Sequence, residues 1–510
     1  MRHRGKQRQQ GGRGARAAAG APGAAARLPA AAIAATAAAA VAAVALWLRF
    51  SALGGSSADV EAIERLIALG DAYAQFGSPE APAPVARLRW SPDEPLAPWL
   101  SRLRVPAAFN STEIDRWAAR QSWSLAFLET ALPKTVTCDV SHESGQMTYR
   151  DESAWREGKS GPAAGVGQEA IGMQTYDIER MPRKRFLRAI EQGRPWVRYG
   201  GDMRKWGPKL SADVAGWERL LVESPRALEA LVSAEDGVLL PREEQLRSQL
   251  NIWVGSENIT TTAHFDPQDN LFVQLEGWKR FTISPPSDFS LFDPFPISHP
   301  HTRQTQVHFH SSEPLPDSVR VLSIDLGPGE ALFLPAGWVH AVEALTPTIS
   351  VSVVAPTAEV ALFDNLQNAG PLWTMPFVEG DGWPIARVVT AFSVFIPGLL
   401  RELAPRLGGF DAVEVVVQRM WSTKVRKELG LDCPYPCKMR RYDCGEITDD
   451  TRAAATRAIP IAARRFAPIR DETLPTFVTM YIELLHSHVK LPLGVLVLEQ
   501  CLEGWPPEGT

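Results

Sequence analysis

Between residues 248 and 356 the chain repeats one pattern: short runs of β-branched, aromatic and aliphatic residues, each closed by Gly, Pro or Asp. The runs are SQLNIWVG, NLFVQLEG, WKRFTISPP, RVLSIDLGPG, EALFLPAG and TISVSVVAP. Short strands at this spacing predict a sandwich or barrel, not a string of βαβ units. On either side the apolar positions change to a helical period. Helices are expected over RWAARQSWSLAFLETAL and ERMPRKRFLRAIEQG, the latter leading into the short segment PWVRYGG. Beyond residue 357 they are expected over VVTAFSVFIPGLLREL, AVEVVVQRMWSTKVRKEL and TFVTMYIELLHSHV. No repeat of solenoid length is present.

The start of the chain has a different pattern. Arg2, Arg4, Lys6, Arg8, Arg13, Arg16 and Arg27 fall in an opening with no acidic residue, and Leu28 to Leu48 then runs without a charge. As a helix that run reaches about 30 Å, the thickness of a hydrocarbon core. Trp47 stands near its end, where aromatic residues favour the interface, and the basic block before it predicts a cytosolic N-terminus. The expectation is a single-pass type II membrane protein, its catalytic region in the ER or Golgi lumen. A cleaved organellar transit peptide is the alternative, because the opening is basic, Ala-rich and free of acid. The resulting organisation is a basic tail (1–27), a transmembrane signal anchor (28–48), a Pro-rich stem or linker (49–105), a catalytic domain (106–356) and a helical C-terminal region (357–510).

Composition narrows the class only modestly. A net charge of -5 removes the bulk basic charge that nucleic-acid binding needs, so no nucleic-acid partner is expected. Of five cysteines, Cys433, Cys437 and Cys444 cluster without a second CxxC pair or a flanking His, which gives a zinc site little support. A disulfide within that loop and fully reduced cysteines both remain open.

Chemistry concentrates in TTAHFDPQDNLFVQLEGWKRFTISPP. His264 and Asp266 are two apart, so an extended backbone turns both to one side. His340 follows in GPGEALFLPAGWVHAVE, where Gly and Pro frame a strand that returns to the barrel mouth. Two His and one carboxylate can occupy one face of an octahedral metal and leave the other positions open, the arrangement used by non-heme Fe(II) oxygenases. Lys279 begins the strand after the Glu276-Gly277 turn and is expected to face the interior beside the ligands. A buried Lys requires an anionic partner, and a dicarboxylate chelating the metal at one end would supply it.

With NITTTAHFDPQDN, the QLEGWKRFTISPP strand pair, HPHTRQTQVHF and GPGEALFLPAGWVH in view, residues 130–356 resemble the JmjC hydroxylases of the cupin superfamily. The resemblance is nearest to the factor-inhibiting-HIF asparaginyl hydroxylase type. It implies a double-stranded β-helix (a cupin jelly roll) with flanking α-helices, and Fe(II), 2-oxoglutarate and O₂ as metal, cosubstrate and oxidant. His264, Asp266 and His340 would be both the iron ligands and the catalytic centre. Lys279, Thr261, Asn270 and Tyr199 would bind the cosubstrate, and Arg303, Gln304, Gln268 and Tyr149 would line the substrate groove. Arg303 keeps the alternative of a solvated loop charge, and Tyr199 and Tyr149 that of core packing. A family Asn after the last His ligand reads here as valine within Val351–Val354, and His299, His301, His308 and His310 predict an exposed histidine-rich loop. The implied activity is side-chain hydroxylation of a protein or peptide, with a homodimer through the C-terminal helices. A non-catalytic cupin-fold binding protein, and an oxygenase acting on a small molecule or glycan, are the rival readings.

Overall fold

The structure is a computed structural model. It describes residues 64–66, 76–89, 96–100, 102–110, 112–147, 176–202, 208–215, 217, 220, 249–295, 297, 301–309, 314–355, 357–368, 374–378, 383–407 and 447–488. The proposed anchor at 28–48, Tyr149, His299, His310 and the cysteine cluster lie outside these residues. Among the described residues no helix is long and apolar enough to cross a membrane.

Fifteen strands are described. They are β1 (Ala83–Pro84), β2 (Ala86–Arg89), β3 (Ala107–Asn110), β4 (Thr135–Ser141), β5 (Gln146–Met147), β6 (Asp177–Pro182), β7 (Trp196–Asp202) and β8 (Gln249–Gly255), followed by β9 (Thr260–Phe265), β10 (Asp269–Glu276), β11 (Lys279–Ser284), β12 (Leu322–Leu326), β13 (Glu330–Leu334), β14 (Val339–Ala344) and β15 (Thr348–Ala355). They form two sheets, ordered β1-β12-β11-β14-β9-β5 and β2-β3-β13-β10-β15-β8-β7-β4-β6. The chain changes sheet between β10 and β11, at a turn where Gly277 holds φ +75°. A Cβ there would lie 2.0 Å from the Pro347 carbonyl oxygen, so glycine is required for the crossing.

Every β run read from the sequence is a strand, and so are the segments expected to carry the histidines, β9 with His264 and β14 with His340. The proposed stem is partly built into the fold. Its β1 pairs in parallel with β12, and its β2 pairs in parallel with β3. RWAARQSWSLAFLETAL does not form one helix. It is divided at Trp117 and Trp123, both extended in backbone, and Ser124 caps the last piece by accepting from the Phe127 amide. ERMPRKRFLRAIEQG likewise begins as β6 and becomes helical only at α1 (Arg183–Gln192).

Alternation along β10 determines how the layers divide. Leu271, Val273 and Leu275 face a core shared with Phe186 of α1, while Asn270, Phe272 and Gln274 point between the sheets. A second core lies at the other side. There Ala263, Phe265, Phe289 and Val339 pack with α2 (Ala358–Asn368), α3 (Ile385–Leu403), α4 (Asp449–Phe466) and α5 (Leu474–His488). Phe265 touches Phe477 of α5 and Phe289 edge-on, at ring distances of 6.3 and 5.0 Å. The described C-terminal helices therefore share a core with the barrel, and the boundary drawn at 357 does not separate two packing units.

Candidate metal centre

His264 on β9 and His340 on β14 lie directly opposite in an antiparallel register. Their rings are 4.2 Å apart between centroids. Each Nδ1 faces the backbone carbonyl two residues earlier in the chain, Thr262 O at 2.8 Å and Trp338 O at 2.9 Å. A carbonyl can only accept, so Nδ1 carries the proton and Nε2 keeps its lone pair for a metal. Asp266 follows β9 by one residue. Its Oδ1 accepts from Arg303 at 3.0 Å, and its Oδ2 lies 3.9 Å from His340 Nε2. One ligand atom from each of the three residues falls within 4.8 Å of the others, and no other such group is found among the described residues.

Protonation matches this geometry. Burial pushes both imidazoles down, and for His264 the charge on His340 adds to the effect. Burial opposes ionisation of Asp266, but His264, His340 and Arg303 outweigh it and hold the carboxyl below its usual range. Two neutral imidazoles and one carboxylate are the donor set that a divalent first-row metal needs.

The triad opens into a cavity of about 750 Å³ between the sheets. Lys279 lies in its wall, 9 % exposed, with Nζ 4.9 Å above the Phe272 ring, which in turn meets Phe281 edge-on. Burial, helped by the charge of Arg198, pushes the Lys279 amine down to about 7. Among the described residues no carboxylate pairs with it. Asn270 Oδ1 and Thr302 Oγ1, both on cavity-lining residues, are buried without a hydrogen-bond partner among the described residues. A buried cation and orphaned polar atoms beside a three-donor cluster fit a metal with a carboxylate-bearing ligand.

The remaining expected residues fall into three groups. Thr261 lines the cavity and accepts from Arg198 at 2.8 Å. Gln304 lies in the cavity wall, bridged to His264, and Gln268 and Arg303 line an adjoining groove of about 300 Å³. Arg303 is no solvated loop charge: it holds Asp266 and lies 5.5 Å from the Phe363 ring. Tyr199 requires correction. Its ring turns away from the cavity and meets Phe186 of α1 edge-on at 6.3 Å, and burial pushes its hydroxyl up to about 12. Core packing, the alternative for this residue, describes it.

Alternation on β7 places Arg198 in the cavity where Tyr199 was expected. Arg198 is held by Asp139 at 2.8 Å and flanked by Tyr176 and Trp253. Within Val351–Val354, Val351 and Val353 are in the core, while Val354 lines the adjoining groove with Asp266 and Asn270. Ser352, on the same face, adds a hydroxyl to the cavity wall, which accepts from Trp253 Nε1 at 2.8 Å. In the histidine-rich loop His301 is buried against Phe295 instead of exposed.

Comparison with known proteins agrees with this architecture. Residues 104–354 match the cupin-like domain family. The chain is 30% identical over 112 residues to Lysine-specific demethylase JMJ31 of Arabidopsis thaliana, covering 21% of this chain and 20% of that protein. It is 31% identical over 111 residues to the HSPB1-associated protein 1 homolog of Danio rerio, covering 20% of this chain and 24% of that one. With Jumonji C domain-containing protein 5 of Drosophila melanogaster it shares 29% identity over 107 residues, 20% of this chain and 26% of the other. The matched stretch thus spans about a fifth to a quarter of each relative's length. Residues 104–354 are similar to the cupin-like domain family, and part of the chain is similar to JmjC-domain proteins.

Proposed function

We propose that the protein is an Fe(II)- and 2-oxoglutarate-dependent dioxygenase that hydroxylates a side chain of a protein or peptide, held at a membrane by residues 28–48. The observation that carries this reading is the buried Lys279, without a carboxylate partner among the described residues, in the same cavity as the His264, Asp266 and His340 donors. Bound Fe(II), with 2-oxoglutarate and O₂, would supply the oxidising equivalent for the hydroxylation. The chain's residues would bind and orient. Lys279 would neutralise the far carboxylate of the cosubstrate. Thr261 would donate its hydroxyl proton to the same carboxylate, since its oxygen already accepts from Arg198. Asn270 would offer its buried side chain at the metal end. Arg303 would occupy Oδ1 of Asp266 and leave Oδ2 for the metal. Phe272 and Phe281 would keep water from the cavity floor.

The relatives named demethylases support a second outcome, removal of a methyl group from lysine, which begins with the same hydroxylation at carbon. An Asp between the two histidines resembles the hydroxylase branch and favours a stable hydroxylated product. The test uses the full chain in detergent with Fe(II), ascorbate, 2-oxoglutarate and peptides from the native compartment. Succinate formation above a His264→Ala control, with a peptide gain of one oxygen, is expected. Loss of a methylene unit from a methylated lysine peptide instead would support demethylation. Succinate no greater than in the control would sink the enzyme reading. Anchoring is tested by protease digestion of sealed microsomes: a catalytic region cut from the cytosolic side would refute the lumenal placement.

A further inference from the structure

We propose that Arg470 is a positioning residue for the metal triad, fixing the spacing of Asp266 and His340 from outside the cavity. The inference rests on the reading that this triad holds a metal. Asp269 opens β10, three residues after Asp266. Its carboxylate accepts from both terminal nitrogens of Arg470, at 2.8 and 2.7 Å. Oδ1 of the same carboxylate also accepts from the backbone amide of Ala336 at 2.8 Å. Ala336 stands in the turn from β13 to β14, four residues before His340. One residue on, the Gly337 amide donates to the Asp266 carbonyl oxygen at 2.8 Å. The loop that carries Asp266 and the turn that delivers His340 are thus joined by two hydrogen bonds. Asp269 supplies one of them, and Arg470 grips Asp269.

Arg470 is itself fixed. Its backbone amide donates to Glu359 Oε1 at 3.1 Å, and Thr473 Oγ1 donates to the same oxygen at 3.1 Å. Glu359, in the first turn of α2, is 1 % exposed. The His340 turn also presses directly on this segment. Gly337 adopts φ +83°, and a Cβ there would fall 2.4 Å from Thr473 Cγ2. A planar guanidinium fork holds both carboxylate oxygens in one orientation, which an ammonium point charge cannot do. Arg470 does not line the cavity, so its effect on a metal must pass through the spacing of the ligands. Metal–ligand distances tolerate about 0.2 Å, and loss of an orienting partner typically weakens metal affinity about 10–100-fold.

The experiment titrates Co(II) into the full chain in detergent and follows its visible absorption, with no turnover required. Variants are Arg470→Gln, Arg470→Lys, Asp269→Asn and Arg406→Gln. Arg406 is the control: it donates to Asp471 and to the Phe466 and Ile469 carbonyls, bracing the segment on both sides of Arg470 without bonding to either loop, so it reports what bracing of the segment alone contributes. Arg470→Gln is expected to weaken Co(II) about tenfold or more and to shift its absorption band, with Arg470→Lys recovering only part. If Arg470→Gln does not fold, Arg470→Lys and Asp269→Asn carry the test with the same expected direction. Arg406→Gln should stay within about twofold of wild type. Unchanged Co(II) affinity in the folded Arg470 and Asp269 variants would overturn the proposal, as would an equal loss in Arg406→Gln. A wild-type chain that binds Co(II) no better than His264→Ala would instead refute the metal reading itself.

Discussion

Replacing Lys279 by Met removes a buried cation while keeping much of its stem. Burial, then Arg198, pushes the amine from 10.5 to about 7 in the folded chain. That difference corresponds to roughly 5 kcal/mol of disfavoured charge, an upper figure for the cost below neutral pH. The unfolded chain keeps its proton up to the ordinary lysine value, whereas the folded chain gives it up near 7. Between those limits the unfolded state binds more protons, so wild-type stability rises with pH by up to about 1.4 kcal/mol per pH unit. Lys279→Met should therefore unfold at higher urea than wild type at pH 6.5, by about 2–5 kcal/mol, and lose most of that advantage by about pH 9.5. A dicarboxylate supplies the anionic partner that Lys279 lacks among the described residues, so 2-oxoglutarate should bind the ammonium form. Calorimetry in two buffers of different ionisation heat should then show proton uptake above pH 7, with affinity falling about tenfold per pH unit toward pH 9. A pH-independent stability difference, together with binding that takes up no proton, would refute the placement of an uncompensated amine in the cavity.

Further consequences are equally direct. Gly200→Ala would place a Cβ 2.4 Å from Trp253 Cζ3, displacing an indole that donates to Ser352. A loss of about 1–3 kcal/mol is expected by thermal unfolding. Phe289→Ala removes a ring 1 % exposed that joins Phe265 to the second core, and should cost about 3–5 kcal/mol in urea unfolding. Cys138 is buried, and burial, then Asp139, pushes its thiol up to about 12. Alkylation followed by mass spectrometry should leave the Cys138 peptide unmodified in native protein and modify it fully in urea; rapid native labelling would contradict the burial.

Local pattern reaches far in this chain because the strands are short and closed by Gly or Pro. The β runs between 248 and 356 and the spacing of His264 to Asp266 can be read from alternation alone. The Glu276-Gly277 turn, read as joining an antiparallel pair, instead carries the chain into the other sheet, because β10 pairs with β13 and β15 while β11 pairs with β12 and β14. His340 is also legible, since its turn residues announce a returning strand. Residue type alone does not fix which face of a strand a side chain takes: Tyr199 packs on Phe186, while its neighbour Arg198 lines the cavity. Other features leave no local trace. RWAARQSWSLAFLETAL has helical spacing but is broken at two tryptophans that pack elsewhere, a tertiary override of periodicity. The orientation of Asp266 depends on Arg303, 37 residues away, and the clamp on its loop comes from Arg470, 201 residues from Asp269. The sequence by itself determined the strands, the ligand types and the need for an anion at Lys279, because each follows from backbone periodicity or from the cost of burying charge. Only the tertiary structure decided which neighbours hold those ligands in place, since hydrogen bonds between distant segments are fixed by how the barrel closes against its C-terminal helices.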